Sequence, residues 1–224
     1  SFNKTYEIFY VEIPKVASST FKEWLPICIH PKFGDGVISK RYSNNPPNFN
    51  SIKNPLSFVI VREPLQRFLS GYQTIRIRSL LKSSPLLTRS KNDELIRFKE
   101  FVSLFTSKGA ILKNDLKYNA KNTCVWCHTL SQLWFIEMYP LPITYVLHLE
   151  SLSKELNILS LNLPIILPKI NKSPFPILNT KEQRKSIGVL SPNDFISNLP
   201  HSIKSILHYL RQDYICLDYP IPKI

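Results

Sequence analysis

Ile8-Phe9-Tyr10-Val11-Glu12-Ile13-Pro14-Lys15-Val16-Ala17-Ser18-Ser19-Thr20-Phe21 opens on an apolar run, passes through a tight loop and reaches Phe21 and Trp24 at helical spacing. Three hydroxyl residues follow a lysine at the end of what reads as a buried strand. Successive backbone N–H groups entering a helix make a preformed anion site. Ser18, Ser19 and Thr20 add hydroxyl donors, and Lys15 adds a mobile positive charge that can reach a bridging oxygen. The plain alternative is a helix N-cap, but a cap needs one hydroxyl and this loop carries three. G-x-x-x-x-G-K-[ST] is absent, and the lysine precedes the small residues, so the loop is not a Walker sequence.

Two further runs resemble the first: Phe58-Val59-Ile60-Val61 and Ile143-Thr144-Tyr145-Val146-Leu147. Their nearly continuous β-branched and aromatic content predicts parallel strands covered on both faces. Helical spacing lies between and after them. Leu65, Phe68, Leu69 and Tyr72 follow Pro64, which suits a first-turn position. Leu95, Ile96, Phe98, Phe101, Val102 and Phe105 make a second face, Trp126 to Met138 predicts a third, strongly apolar helix, and Ile203, Ile206, Leu207 and Leu210 a fourth. Strands alternating with helices predict an α/β fold, a parallel β-sheet flanked by helices. Ligands of such sheets bind at the carboxyl ends of strands.

A second loop follows the second strand: Val61-Arg62-Glu63-Pro64-Leu65-Gln66-Arg67-Phe68-Leu69-Ser70-Gly71-Tyr72. Arg62 stands at the strand's carboxyl end, and Ser70 is eight residues on. An arginine fork with a serine hydroxyl suits a terminal phosphate. Arg62-Glu63-Pro64 also reads as a structural ion pair ahead of a helix. Arg67 is expected to face solvent or act as a structural partner rather than a ligand.

The two loops together, Pro-Lys-Val-Ala-Ser-Ser-Thr-Phe from Pro14 and Val-Arg-Glu-Pro-Leu-Gln-Arg-Phe-Leu-Ser-Gly-Tyr from Val61, resemble the sulfotransferases that use 3′-phosphoadenosine 5′-phosphosulfate (PAPS), and the carbohydrate (Golgi-type) branch more than the cytosolic one. Soluble invertebrate members acting on small alcohols are the other variant of the resemblance. It implies a P-loop-like sulfotransferase fold and the transfer of a sulfonate to an acceptor hydroxyl, leaving adenosine 3′,5′-bisphosphate. By resemblance Lys15, Val16, Ala17, Ser18, Ser19 and Thr20 grip the 5′-phosphosulfate, while Arg62 and Ser70 grip the 3′-phosphate. Tyr145 to Leu152 resembles the family's third strand and its Glu-x-Leu helix start. Lys169 to Ser173 resembles an Asn-centred loop, and Leu210 to Tyr219 the terminal helix with its Asp-Tyr ending. The family often has Gly or Cys where Ala17 and Ser18 stand, and Tyr72 to Val125 carries no motif of the family, so acceptor residues are not assigned.

In such a transfer Lys15 stabilises the leaving oxygen, no metal is required, and a general base takes the acceptor proton. His30 and Asp35 are the candidate bases, with His128 as their rival. Arg76, Arg78, Lys82, Arg89 and Lys91 line a cleft for an acidic glycan or form a solvated basic loop. Leu86, Leu87, Trp126, Trp134 and Phe135 suit an apolar pocket for a small-molecule alcohol instead.

The whole chain agrees with this reading. Its 224 residues predict a single domain, residues 1–224, with a proper core. Lys and Arg number 29 against 16 Asp and Glu, a net charge of +13 that attracts anionic partners of any class. A nucleotide kinase needs a metal carboxylate near the loops, and none stands out. A basic nucleic-acid binder interleaves aromatic and basic residues on a surface, whereas these aromatics occupy apolar faces. The expected partners are thus the nucleotide cosubstrate and an alcohol-bearing acceptor, glycan or small molecule. No apolar run is long enough to span a membrane. The compartment is cytoplasmic if the chain is near full length and the Golgi lumen if it is a trimmed domain. Asn3 and Asn171 match N-x-[ST], which does not decide between them. Cys124 and Cys127 form a C-x-x-C, read as two thiols on one turn, a local disulfide, or part of a metal site with His128.

Overall fold

Leu56 to Val61 is buried at every residue on both faces of its strand, because the strand is the middle one. The computed structural model describes residues 7–16, 55–83, 91–107, 128–138, 142–162 and 190–223. Among them the chain runs β1 (Glu7–Val11), β2 (Pro55–Val61), α1 (Pro64–Ser83), α2 (Lys91–Ser107), α3 (Gln132–Glu137), β3 (Tyr145–His148), a 3-10 turn (Leu149–Ser151), α4 (Leu152–Asn162), α5 (Pro192–Asn198), α6 (Pro200–Tyr209) and α7 (Arg211–Cys216). The strands form a parallel sheet in the order β1-β2-β3, with Val11 level with Val59 and Val61 level with His148. The α/β class and the parallel sheet are as the apolar runs predict.

Two compact units divide the chain. The first comprises Ser1–Arg62 and Gln132–Leu178, and the second Glu63–Ser131 and Asn179–Ile224. The first holds the sheet. Tyr10 of β1 stacks on Phe58 of β2 with ring centroids 5.3 Å apart. α4 packs against β3, where Leu147 is buried together with Leu152 and Leu156. Val146 is 40 % exposed, so β3 is not covered on both faces as its composition suggests. The strand also starts two residues later than Ile143. The Thr144 N–H donates to the Ser57 carbonyl (2.9 Å), and Thr144 Oγ1 accepts from the Ser57 N–H (3.2 Å), which ties the approach to β3 onto β2.

The second unit is helical. Phe68, Tyr72, Phe98, Phe101, Phe105 and Phe195 form an aromatic core, with Tyr72 edge-on to Phe98 at 4.8 Å and Phe98 4.4 Å from Phe195. Such pairs add to the free energy of simple burial. Of the positions read at helical spacing, Leu65, Phe68, Leu69 and Tyr72 of α1, Phe98, Phe101, Val102 and Phe105 of α2, Ile203 and Ile206 of α6, and Leu210 belong to this core, with Leu95 and Leu207 partly buried against it, whereas Ile96 is 57 % exposed. Arg76, Arg78 and Lys82 fall in the helical part of the chain, since α1 runs on to Ser83. α5 begins with a capping box: Ser191 Oγ accepts from the Asp194 N–H (3.3 Å) and Asp194 Oδ2 from the Ser191 N–H (2.9 Å), with Pro192 in the first turn.

One helix is shorter than its periodicity implies. Of the apolar run from Trp126 to Met138, the described residues are α-helical only over α3, and His128 to Ser131 is turn. Tertiary contacts occupy the backbone there. The Leu130 carbonyl accepts from Arg67 Nη1, the Ser131 N–H donates to Tyr209 Oη (3.2 Å), and Ser131 Oγ donates to Asp213 Oδ1 (2.6 Å). Arg67 is 1 % exposed and Asp213 equally buried, so Arg67 is a structural partner and not a solvent-facing side chain. No helix among the described residues is long and apolar enough to cross a membrane.

Candidate functional site

The first unit brings Lys15 and Arg62 together at the carboxyl ends of adjacent parallel strands. β1 stops at Val11, and Pro14 to Val16 form a turn. Val16 is fully buried and anchors the turn. Lys15 has φ 71°, the left-handed region that costs a residue with a Cβ on the order of 1–3 kcal/mol unless its surroundings impose it. Part of what imposes it is Arg62, whose Nη1 donates to the Lys15 carbonyl at 3.3 Å. Both side chains are half-buried. Two basic residues thus stand at neighbouring strand ends, with the lysine's backbone braced by the arginine.

Arg62 is itself held. Its N–H donates to Gln132 Oε1 at 2.9 Å, and Gln132 Nε2 donates back to its carbonyl at 2.7 Å. Gln132 is 0 % exposed and opens α3. Sequence reasoning does not single it out, because in its own segment it is one polar residue within the apolar run from Trp126 to Met138.

A third strand end carries a side-chain cluster. His148 closes β3, and its N–H donates to Glu155 Oε2 (2.7 Å) while its Nδ1 lies 3.2 Å from Glu155 Oε1. Ser151 Oγ also donates to Glu155 Oε1. The strand and the helix start expected over Tyr145 to Leu152 are present, with the 3-10 turn between them.

In the second unit Ser70 is buried two turns into α1, so continuous helix, not loop, leads to it from Pro64. Glu63 closes the α1 N-terminus. It accepts from the Leu65 N–H (3.3 Å), the Gln66 N–H (2.6 Å) and the Tyr214 hydroxyl, and the Leu65 N–H also donates to Tyr214 Oη (3.2 Å). A helix N-terminus capped by its own carboxylate leaves anion binding in this segment to side chains. His128 is buried, and its carbonyl lies against Gly71 of α1. Ala17, Ser18, Ser19 and Thr20 lie outside the described residues, as do His30, Asp35, Cys124, Cys127, Trp126, Leu86, Leu87, Arg89, Asn3, Asn171 and the stretch from Lys169 to Ser173.

The Tyr214 contact has a pH signature. Burial first, then the hydrogen bond to Glu63 and its charge, push the Tyr214 phenol well above its ordinary value of 10.0, and burial raises Tyr209 too. The unfolded chain releases these protons near pH 10 while the folded chain keeps them, so stability is full below about pH 10 and declines as pH rises above it. Tyr214→Phe is expected to cost about 1–2 kcal/mol at neutral pH, since it removes a hydrogen bond to a carboxylate. It should also flatten the fall in urea midpoint above pH 10, and an unchanged slope would remove Tyr214 from this account.

A family model described as the sulfotransferase family matches residues 1–159. That span includes the Lys15 turn, Arg62, Gln132 and the β3 end, that is, all the strand-end features above. Neither the comparison with curated proteins nor that with solved structures gives a match.

Proposed function

Because the chain belongs to the sulfotransferase family, we propose that it transfers a sulfonate from PAPS to the hydroxyl of a carbohydrate or small-molecule alcohol. The family implies a nucleotide sulfate donor and an acceptor; the particular donor and acceptor are our reading. The observation that carries it is the Arg62 to Lys15 hydrogen bond, which joins the two sequence segments suited to phosphate into one locus at the carboxyl ends of β1 and β2.

In this reading Lys15, Val16 and the following Ala17, Ser18, Ser19 and Thr20 hold the 5′ end through amides, hydroxyls and one ammonium. Arg62 holds the 3′-phosphate. The acceptor oxygen forms a bond to sulfur as the bridging bond from sulfur to the 5′-phosphate oxygen breaks. Lys15 stabilises the charge gathering on that leaving oxygen, and a base, His30 or Asp35, takes the acceptor proton. The products are a sulfate ester and adenosine 3′,5′-bisphosphate.

Titration calorimetry with adenosine 3′,5′-bisphosphate in metal-free buffer tests the site. Wild type should bind in the micromolar range or tighter. Arg62→Ala should bind at least about tenfold more weakly, the scale of a lost hydrogen bond to a charged group. Unaltered affinity in the variant would refute the assignment.

A further inference from the structure

Gln132 spends both ends of one buried carboxamide on the backbone of one residue. The two hydrogen bonds, 2.9 Å from the Arg62 N–H and 2.7 Å to the Arg62 carbonyl, copy what a neighbouring strand would supply, at the point where β2 has just ended. Glutamine suits the task because its side chain presents an acceptor and donors in one plane. The clamp fixes where the Arg62 Cα sits and how its side chain departs, and from there Nη1 reaches the Lys15 carbonyl. A flexible arginine gives up rotamer freedom on gripping an anion, and a pre-aimed one gives up less.

We propose that Gln132 is a positioning residue for the phosphate grip of Arg62, and through it for the choice of a nucleotide bearing a 3′-phosphate over one without it. This rests on the assignment of Arg62 above. Gln132 has no contact with the nucleotide in this account; it acts on the arginine's backbone.

The test compares two probes, adenosine 3′,5′-bisphosphate and adenosine 5′-monophosphate, by calorimetry on the full 224-residue chain. Variants are Gln132→Met, Arg62→Ala and the double substitution, each checked for a cooperative melt by circular dichroism. Wild type should prefer the bisphosphate by about tenfold or more, the scale of a charge-assisted hydrogen bond. Gln132→Met should lose most of that preference and keep its affinity for the monophosphate. In the Arg62→Ala background it should remove nothing further, the non-additivity expected of residues acting through one another. Should Gln132→Met not fold, Gln132→Glu replaces it. The carboxylate keeps the acceptor for the Arg62 N–H and sets an oxygen against the Arg62 carbonyl, so a partial loss of preference is expected. A folded Gln132 variant with wild-type preference, or with equal loss for both probes, overturns the proposal. If Arg62→Ala itself leaves the preference unchanged, the phosphate assignment of Arg62 fails first. If Arg62→Ala alone loses it, only the role of Gln132 fails.

Discussion

Lys15→Ala is expected to lower the rate of sulfonate transfer by about 100- to 1000-fold, the range for removing one preorganised charge-stabilising group from a transition state. Its melting temperature should stay close to wild type. The backbone of the turn does not depend on the ammonium: buried Val16 anchors one side, and Arg62 holds the Lys15 carbonyl. Alanine at φ 71° keeps the strain that lysine already bears, so the substitution is conformationally even. Lys15→Gly separates backbone from charge. Glycine adopts positive φ without the steric cost, so this variant should melt no lower than Lys15→Ala and be equally slow. Single-turnover measurement at saturating donor reads the chemical step. A Lys15→Gly enzyme of near wild-type rate would show that the turn matters and the ammonium does not.

Gly71→Ala is expected to destabilise the protein by about 3 kcal/mol or more, at the upper end of overpacking costs. In an open helix the same change stabilises by up to about 1 kcal/mol, so the sign is the test. A Cβ at position 71 would stand 2.0 Å from the His128 carbonyl oxygen, 2.6 Å from its carbon and 3.1 Å from Thr129 Cγ2. Backbone is the obstacle, not the far end of a flexible side chain. Nor can that backbone readily retreat, because Leu130 is held by Arg67 and Ser131 by Tyr209 and Asp213. Urea denaturation of both proteins gives the comparison. A variant as stable as wild type would mean that the 128–131 turn does not lie against α1.

β1 and β2 were legible because buried parallel strands are nearly all apolar, and α1 because Pro64 and the spacing of Leu65, Phe68 and Tyr72 are local signals. α5 was equally legible through Ser191-Pro192-Asn193-Asp194, a capping box that sequence reasoning passed over. The stretch before α3 was not: its apolar spacing is helical, yet Arg67 and Tyr209 take its backbone groups and Asp213 the Ser131 hydroxyl, from positions up to 82 residues away.

Sequence alone determined the α/β class, the two loops with Lys15 and Arg62, and the family they resemble, since each depends on residues adjacent in the chain. Tertiary structure alone decided that Arg62 braces the Lys15 carbonyl, that Gln132 clamps Arg62 from 70 positions away, and that Glu63 caps α1 with Tyr214 from 151 positions away. The physical reason is that a periodicity or a turn records its partners within a few residues, whereas a hydrogen bond between distant segments leaves no mark on either until the chain has folded.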